Sequence, residues 1–114
     1  MPREIKESDW KLLRQLHPIA LERFSQRILS EIGSINADGA KSFHQRYLDI
    51  FEVVECRDRE MSQLFNYLRR STALTQIALI QSSGLLAEDE FSRFSTEKRS
   101  FVEVMLEGRH GEGK

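Results

Sequence analysis

The feature that most constrains the fold is the stretch between Gly39 and Gly84, in which neither proline nor glycine occurs. Within it, residues recur at alternating steps of four and three, the spacing that keeps one helical face turned toward a neighbouring helix. We call this set the seam: Tyr47, Phe51, Val54, Asp58, Met61, Phe65, Leu68, Thr72, Thr75, Leu79 and Ser82. The pattern predicts a long central helix from about Ser42 to Ser83, either continuous or bent near Arg57–Arg59.

The length of such a helix bears on assembly. A continuous helix of about 40 residues would be about 60 Å long. A compact chain of 114 residues has a radius of gyration of about 13 Å and cannot cover a helix of that length. A continuous helix therefore predicts a partner. A second copy of the chain is the first expectation, and another protein is the alternative.

Composition supports a folded, helical chain. Charged residues make up 31% and hydrophobic residues 39% of the sequence, a balance typical of a folded globular domain. We expect an all-α, four- to five-helix, bundle-like domain over residues 1–107, followed by a flexible tail over residues 108–114. The single cysteine, Cys56, cannot form an intrachain disulfide, so the fold is not expected to depend on oxidation.

Charge and hydropathy argue against two classes of partner. The net charge is −1, so no overall positive field attracts nucleic acid. No apolar run approaches the roughly 20 residues that a membrane-spanning helix needs. The N-terminus also lacks the apolar region of a secretory signal. We therefore expect a cytoplasmic protein that binds neither nucleic acid nor membrane.

Before the seam, the sequence predicts two helices separated at a proline. Ser8 or Asp9 is suited to cap the first of them. Pro18 is best tolerated at the first position of a helix and disfavours helical angles at His17. We therefore expect a break at His17–Pro18, followed by a helix to about Ile35.

Turn and cap signals mark the other boundaries. Asn36–Gly39 is a cluster of turn residues, and Ser42 with Gln45 matches a capping box. Gly84 suits the left-handed position after a helix C-terminus. Ser95 is expected to cap a last helix.

One local segment resembles a known module. Residues 84–91, GLLAEDEF, preceded by Leu79, resemble the helix–turn–helix of the SHOCT (short C-terminal) module, which is associated with oligomerisation. The resemblance covers about a quarter of the chain. Ala87 departs from the Ser or Thr expected as the cap, and a further helix follows.

Candidate functional residues lie in the second half of the predicted central helix. Its rear side, away from the seam, is apolar, and a helix that is apolar nearly all round is enclosed by something. We expect these residues to form a homodimer interface, with coverage by the same chain as the alternative. The expected interface residues are Tyr67, Leu74, Ile77 and Ala78.

Polar residues in the same segment suggest a second function. Thr72, Thr75 and Gln76 interrupt its apolar sequence and could line a small pocket between helices. No spacing of histidine, cysteine or carboxylate residues indicates a catalytic, cofactor or metal site. The sequence thus predicts a self-associating interaction or scaffold protein that is not an enzyme. The alternative is a ligand-binding or regulatory bundle with this pocket.

Overall fold

A computed structural model of the chain describes residues 5–66, 68–96, 98–100 and 102–104. Those residues form no strand, and the predicted all-α, bundle-like fold is confirmed. The elements are α1 (Glu7–Asn36), α2 (Phe43–Phe65), a 3₁₀ turn (Arg70–Thr72), α3 (Ala73–Ser82) and α4 (Glu88–Phe91). The described residues between 96 and 104 are all helical as well. The tail predicted from residue 108 lies outside the described residues.

The two long helices form an antiparallel hairpin. Arg46 near the start of α2 donates to the carbonyl of Asn36 at the end of α1, and Arg57 donates to Glu31. Further along, His17 donates to the carbonyl of Phe65 over 3.2 Å. The contacts therefore run in opposite order along the two helices.

Burial divides the molecule into two parts. No residue from 25 to 63 is buried, although this segment contains the last third of α1 and most of α2. We call residues 25–63 the hairpin, and the described residues on either side of it the core region. The largest fully enclosed apolar side chains belong to the core region: Leu13, Ile77, Ile80, Leu85 and Val102. The hairpin projects from this core, consistent with a molecule that measures 55 × 34 × 24 Å.

The predicted break at His17–Pro18 is wrong. Helix α1 runs through both residues without interruption. The apolar residues Leu13, Leu16 and Ala20 continue one buried stripe past the proline, while Pro18 itself is exposed. Burial of this stripe outweighs the cost of a missing backbone donor inside the helix.

The central helix predicted from Ser42 to Ser83 is also wrong in its continuity. Helix α2 ends at Phe65, and Arg69 adopts extended angles (φ −137°, ψ 152°) before the 3₁₀ turn. The alternative of a bend near Arg57–Arg59 is wrong as well, because α2 is helical there. The chain turns back after Phe65 because α3, which is apolar nearly all round, gains most by entering the core region.

The end of α3 agrees with the sequence. Gly84 has φ of +71°, the left-handed conformation that glycine adopts without strain. Its amide donates to the carbonyl of Gln81, and the amide of Leu85 donates to that of Ile80. These two bonds form a Schellman motif, and Leu85 is fully buried beside it.

The side-chain caps of the helices agree in part with those predicted from the sequence. Ser42 accepts from the amide of Gln45 over 3.0 Å, but the side chain of Gln45 bonds to Asp49 instead of completing the capping box. Ser95 is the predicted cap of the last helix, and its hydroxyl accepts from the amide of Lys98. Asp9 does not cap α1, because it accepts from the amide and the hydroxyl of Ser95 at 2.8 and 2.7 Å.

Candidate interaction surface

Three of the four residues predicted to form an interface are enclosed by their own chain. Leu74, Ile77 and Ala78 have exposed fractions of 9%, 0% and 2%, and Tyr67 lies outside the described residues. A side chain that its own core covers presents no surface to a second copy. The described residues of the apolar rear face of α3 are therefore covered by the same chain, which was the alternative to a homodimer interface.

The three predicted pocket residues differ in burial, with Thr72 intermediate between the other two. Thr75 is exposed and Gln76 is buried, so the two neighbours point into different environments. The hydroxyl of Thr72 donates to the carbonyl of Arg69, three residues back. Gln76 is notable because its Nε2 is buried without a hydrogen-bond partner among the residues that the structure describes.

Most of the large exposed apolar side chains among the described residues lie on the hairpin instead. Phe43, Tyr47, Phe51 and Val54 are 82%, 62%, 53% and 44% exposed. They lie at positions i, i+4, i+8 and i+11 of α2, a spacing that keeps them on one face of the helix. We call these four residues the aromatic stripe. Three of them belong to the seam, so the seam does mark an apolar helical face, but its N-terminal half faces solvent.

The rings of the stripe are partly ordered before any partner binds. Tyr47 stacks on Phe51 with ring centres 6.5 Å apart, and His44 stacks on Tyr47 at 6.2 Å. The guanidinium of Arg46 lies over the ring of Phe43, 4.5 Å from its centre. Such ring contacts reduce the side-chain freedom that a partner would have to restrict on binding.

An apolar groove extends the stripe toward α1. It has a volume of about 330 Å³ and lies between the two helices of the hairpin. Its walls include Ile28, Leu29, Ile32, Val54, Asp58 and Met61. Val54 belongs to both features, so stripe and groove form one continuous area, which we call the hairpin surface. Leu29, 67% exposed, lies at its α1 side.

Ion pairs hold the hairpin together. Arg57 of α2 donates to Glu31 of α1 over 3.0 Å and to Glu60 over 2.6 Å. Both carboxylates stabilise the charged guanidinium, Glu31 most, and raise the pKa of Arg57 above its ordinary value. The pair with Glu31 joins the two helices directly, whereas the pair with Glu60 lies within α2.

A second pair lies at the tip of the hairpin. Lys41 in the connecting turn donates to Asp49 of α2 over 2.7 Å. This hydrogen bond, and a second from Gln45, lowers the pKa of the Asp49 carboxyl. The turn between α1 and α2 is thereby fixed to the first turns of α2.

The described residues contain no evident metal site. No three residues of the His, Cys, Asp and Glu types come together there in a group that could hold a metal ion. Cys56 is exposed. None of the helices in the described part is long and apolar enough to span a bilayer.

The comparisons with known proteins gave no relative. No family model, no curated protein and no solved structure matches the chain. The likeness of residues 84–91 to the SHOCT module therefore stays a local similarity of sequence.

Sequence reasoning missed two parts of the hairpin surface. The sequence signal for Leu29 is the apolar set at residues 28, 29 and 32, which is wider than one core stripe needs. Phe43 does not belong to the seam, so the seam spacing did not identify it. Its exposure follows from the position of α3, which returns to the core region and leaves the start of α2 uncovered.

Proposed function

We propose that this protein is a small self-associating interaction protein that forms a homodimer through the hairpin surface. In this role it needs no catalytic activity, and we place it in the cytoplasm. The observation that supports the proposal is the combination found in residues 25–63. This segment contains no buried residue, yet it exposes four large apolar side chains on one helical face.

The size of the surface supports a specific interface. The exposed fractions of Phe43, Tyr47 and Phe51 amount to about two complete aromatic side chains, or roughly 300–500 Å². The largest apolar patch on a soluble monomer is typically of about this size and is often functional. Two copies would bury roughly twice that area from the rings alone, and Leu29, Val54 and the groove add to it. A typical stable interface buries about 1,200–2,000 Å² in total.

The shape of the hairpin favours a second copy as the partner. A two-helix hairpin that lacks a core gains one when a second hairpin packs on it, because four helices can enclose a shared apolar centre. A two-fold pair is also the commonest closed assembly of identical chains. One apolar face per chain is sufficient for such a pair.

Substitution of Phe51 by glutamate tests this proposal. Phe51 is half exposed in the single chain, so Phe51→Glu should leave the monomer folded while placing a desolvated charge in the interface. Leu48→Glu is the matched control, since Leu48 is an apolar residue of the same helix, 43% exposed, that does not share the spacing of the stripe.

The readout is molar mass by light scattering at tens of micromolar, with circular dichroism as a check of folding. We expect dimeric wild type, dimeric Leu48→Glu and monomeric, helical Phe51→Glu. A folded wild type of monomeric mass at that concentration would refute the proposal. Dissociation of Leu48→Glu alone would show that the interface lies on another face.

A second candidate function, the binding of a small polar ligand, has one observation in its favour. A cavity of about 420 Å³ in the core region is lined by Gln81, Glu88, Ser92, Arg99 and other residues. The Oε1 atom of Gln81 is buried without a hydrogen-bond partner among the described residues. A thermal-shift screen with small amines and amino acids tests this function. A shift in wild type that Arg99→Ala abolishes would support it, and the absence of any shift would count against it.

A further inference from the structure

We infer that the two copies pair antiparallel along α2, with the two-fold axis near Phe51, so that the aromatic residues at the tip of each hairpin cover the groove of the other. This inference rests on the proposed self-association and adds to it the orientation of the partner. It follows from the shape, the spacing and the charge of the hairpin surface.

The shape of the surface changes along α2. At the tip, Phe43 and Tyr47 protrude, with 82% and 62% of each residue exposed. At the other end, Val54, Asp58 and Met61 border the concave groove of about 330 Å³. Antiparallel pairing places protruding rings over a groove. Parallel pairing would place ring against ring and groove against groove, which leaves two apolar hollows facing each other at a cost in lost contacts.

The spacing fits a two-fold axis at Phe51. His44 precedes Phe51 by seven residues and Asp58 follows it by seven, so each lies about 10.5 Å from the axis along the helix. A two-fold interface requires that if residue i contacts residue j of the partner, then j contacts i. The tip of one copy therefore reaches the groove of the other at both ends of the same interface.

Charge is distributed unevenly along the same helix. Residues 41–49 contain Lys41 and Arg46 against Asp49, whereas residues 52–60 contain four carboxylates against two arginines. Antiparallel pairing brings the more positive end of each α2 to the more negative end of the other. It also opposes the two helix dipoles, a smaller effect that salt screens.

Asp58 gives the clearest discrimination between the two orientations. It is a polar residue at a seam position and borders the groove, and its carboxylate makes no hydrogen bond or ion pair with the described residues. In a parallel pair it would face the same carboxylate of the other copy, an uncompensated like-charge contact. In the antiparallel pair it faces the partner tip, where His44 and Arg46 carry N–H donors.

Cysteine cross-linking decides the orientation. In a Cys56→Ser background, which removes the exposed native thiol, one variant carries His44→Cys and another carries Asp58→Cys. Each is treated with a short bismaleimide alone, and then as an equal mixture that has been unfolded and refolded together. The readout is the fraction of covalent dimer on a denaturing gel, with light scattering of the untreated samples.

We expect covalent dimer in the mixture and little in either variant alone. In the antiparallel pair, two copies of position 44 are separated by about 21 Å along the helix, far beyond the reach of the reagent. Covalent dimer in each single variant would overturn the orientation while leaving self-association intact. Dimeric mass without cross-links in any sample would also overturn it. Monomeric mass in the untreated Cys56→Ser background would refute the proposed function itself.

Discussion

Arg23 of α1 and Glu90 of α4 form a two-point ion pair, with nitrogen–oxygen distances of 2.6 and 2.9 Å. Arg23 also donates to the carbonyl of Leu85 over 2.8 Å. One turn further along α1, Arg27 donates to the carbonyls of Ser83 and Gly84 at 2.6 and 2.7 Å. Two arginines of α1 thus fix the α3–α4 turn to the first helix. The base of the hairpin is thereby attached to the core region.

The ion pair makes stability depend on pH. The hydrogen bonds from Arg23 lower the pKa of Glu90 to about 2, against a partial opposing effect of burial. A carboxyl whose pKa is lower in the folded state stabilises the fold above its unfolded value of 4.5. That contribution is lost as the pH falls from about 4.5 to 2.

We expect Glu90→Gln to reduce the free energy of unfolding at pH 7 by about 1–2 kcal/mol, a value moderated by solvent around the half-exposed Arg23. The difference from wild type should shrink as the pH is lowered through this window. Urea unfolding, followed by the fluorescence of Trp10, the single tryptophan, measures this difference in unfolding free energy at each pH. A difference that stays constant from pH 7 to pH 3 would contradict this assignment.

The buried carboxylate of Asp9 anchors the last helix. Asp9 is 2% exposed, and both its oxygens accept hydrogen bonds from Ser95. Asp9→Ala leaves the amide of Ser95 without its acceptor, and we expect a loss of about 2–3 kcal/mol in unfolding free energy. Ser95→Ala keeps that amide bond and should cost about 1 kcal/mol less. Equal losses in the two variants would show that the hydroxyl carries the contact.

Replacement of Pro18 should stabilise the protein. Pro18 is exposed within a continuous helix and lacks the amide that would otherwise bond to Arg14. Pro18→Ala restores that bond and removes the clash. After allowance for the greater freedom of the unfolded chain, the gain should be about 1–2 kcal/mol. Thermal unfolding is the measurement, and a lower melting temperature in Pro18→Ala would contradict the continuous α1.

A variant at Ile77 distinguishes a core position from an interface position. It is fully buried within the single chain, so Ile77→Ala should lower the unfolding free energy by about 2–4 kcal/mol through the cavity it leaves. At concentrations where the chain stays folded, its mass should equal that of wild type. A normal unfolding free energy together with a loss of mass would instead place Ile77 at an interface, as the sequence suggested.

Several elements followed from local sequence chemistry. Some elements depend only on residues that are close together in the chain. They are the left-handed Gly84, the serine caps at 42 and 95, and the turn at Asn36–Gly39. Their hydrogen bonds form within a few residues. Such signals can be read without knowing where the rest of the molecule lies.

The errors arose where tertiary contacts outweigh local preference. Nothing in the sequence near Phe65 breaks a helix, and α2 ends there because α3 is buried by folding back onto α1. The same contacts keep α1 helical through Pro18. Periodicity identified Tyr47, Phe51 and Val54 as one face of a helix. It could not determine whether that face or the rear face of α3 would remain uncovered, because both are apolar.

Sedimentation velocity of the wild-type protein over a hundredfold range of concentration determines whether the chain self-associates. The chain has a mass of 13.3 kDa. If the hairpin surface is a self-association site, the species at tens of micromolar should have twice that mass, and Phe51→Glu should remain at 13.3 kDa throughout. A wild type that stays at 13.3 kDa over the whole range, with a helical spectrum, would contradict self-association through the hairpin surface.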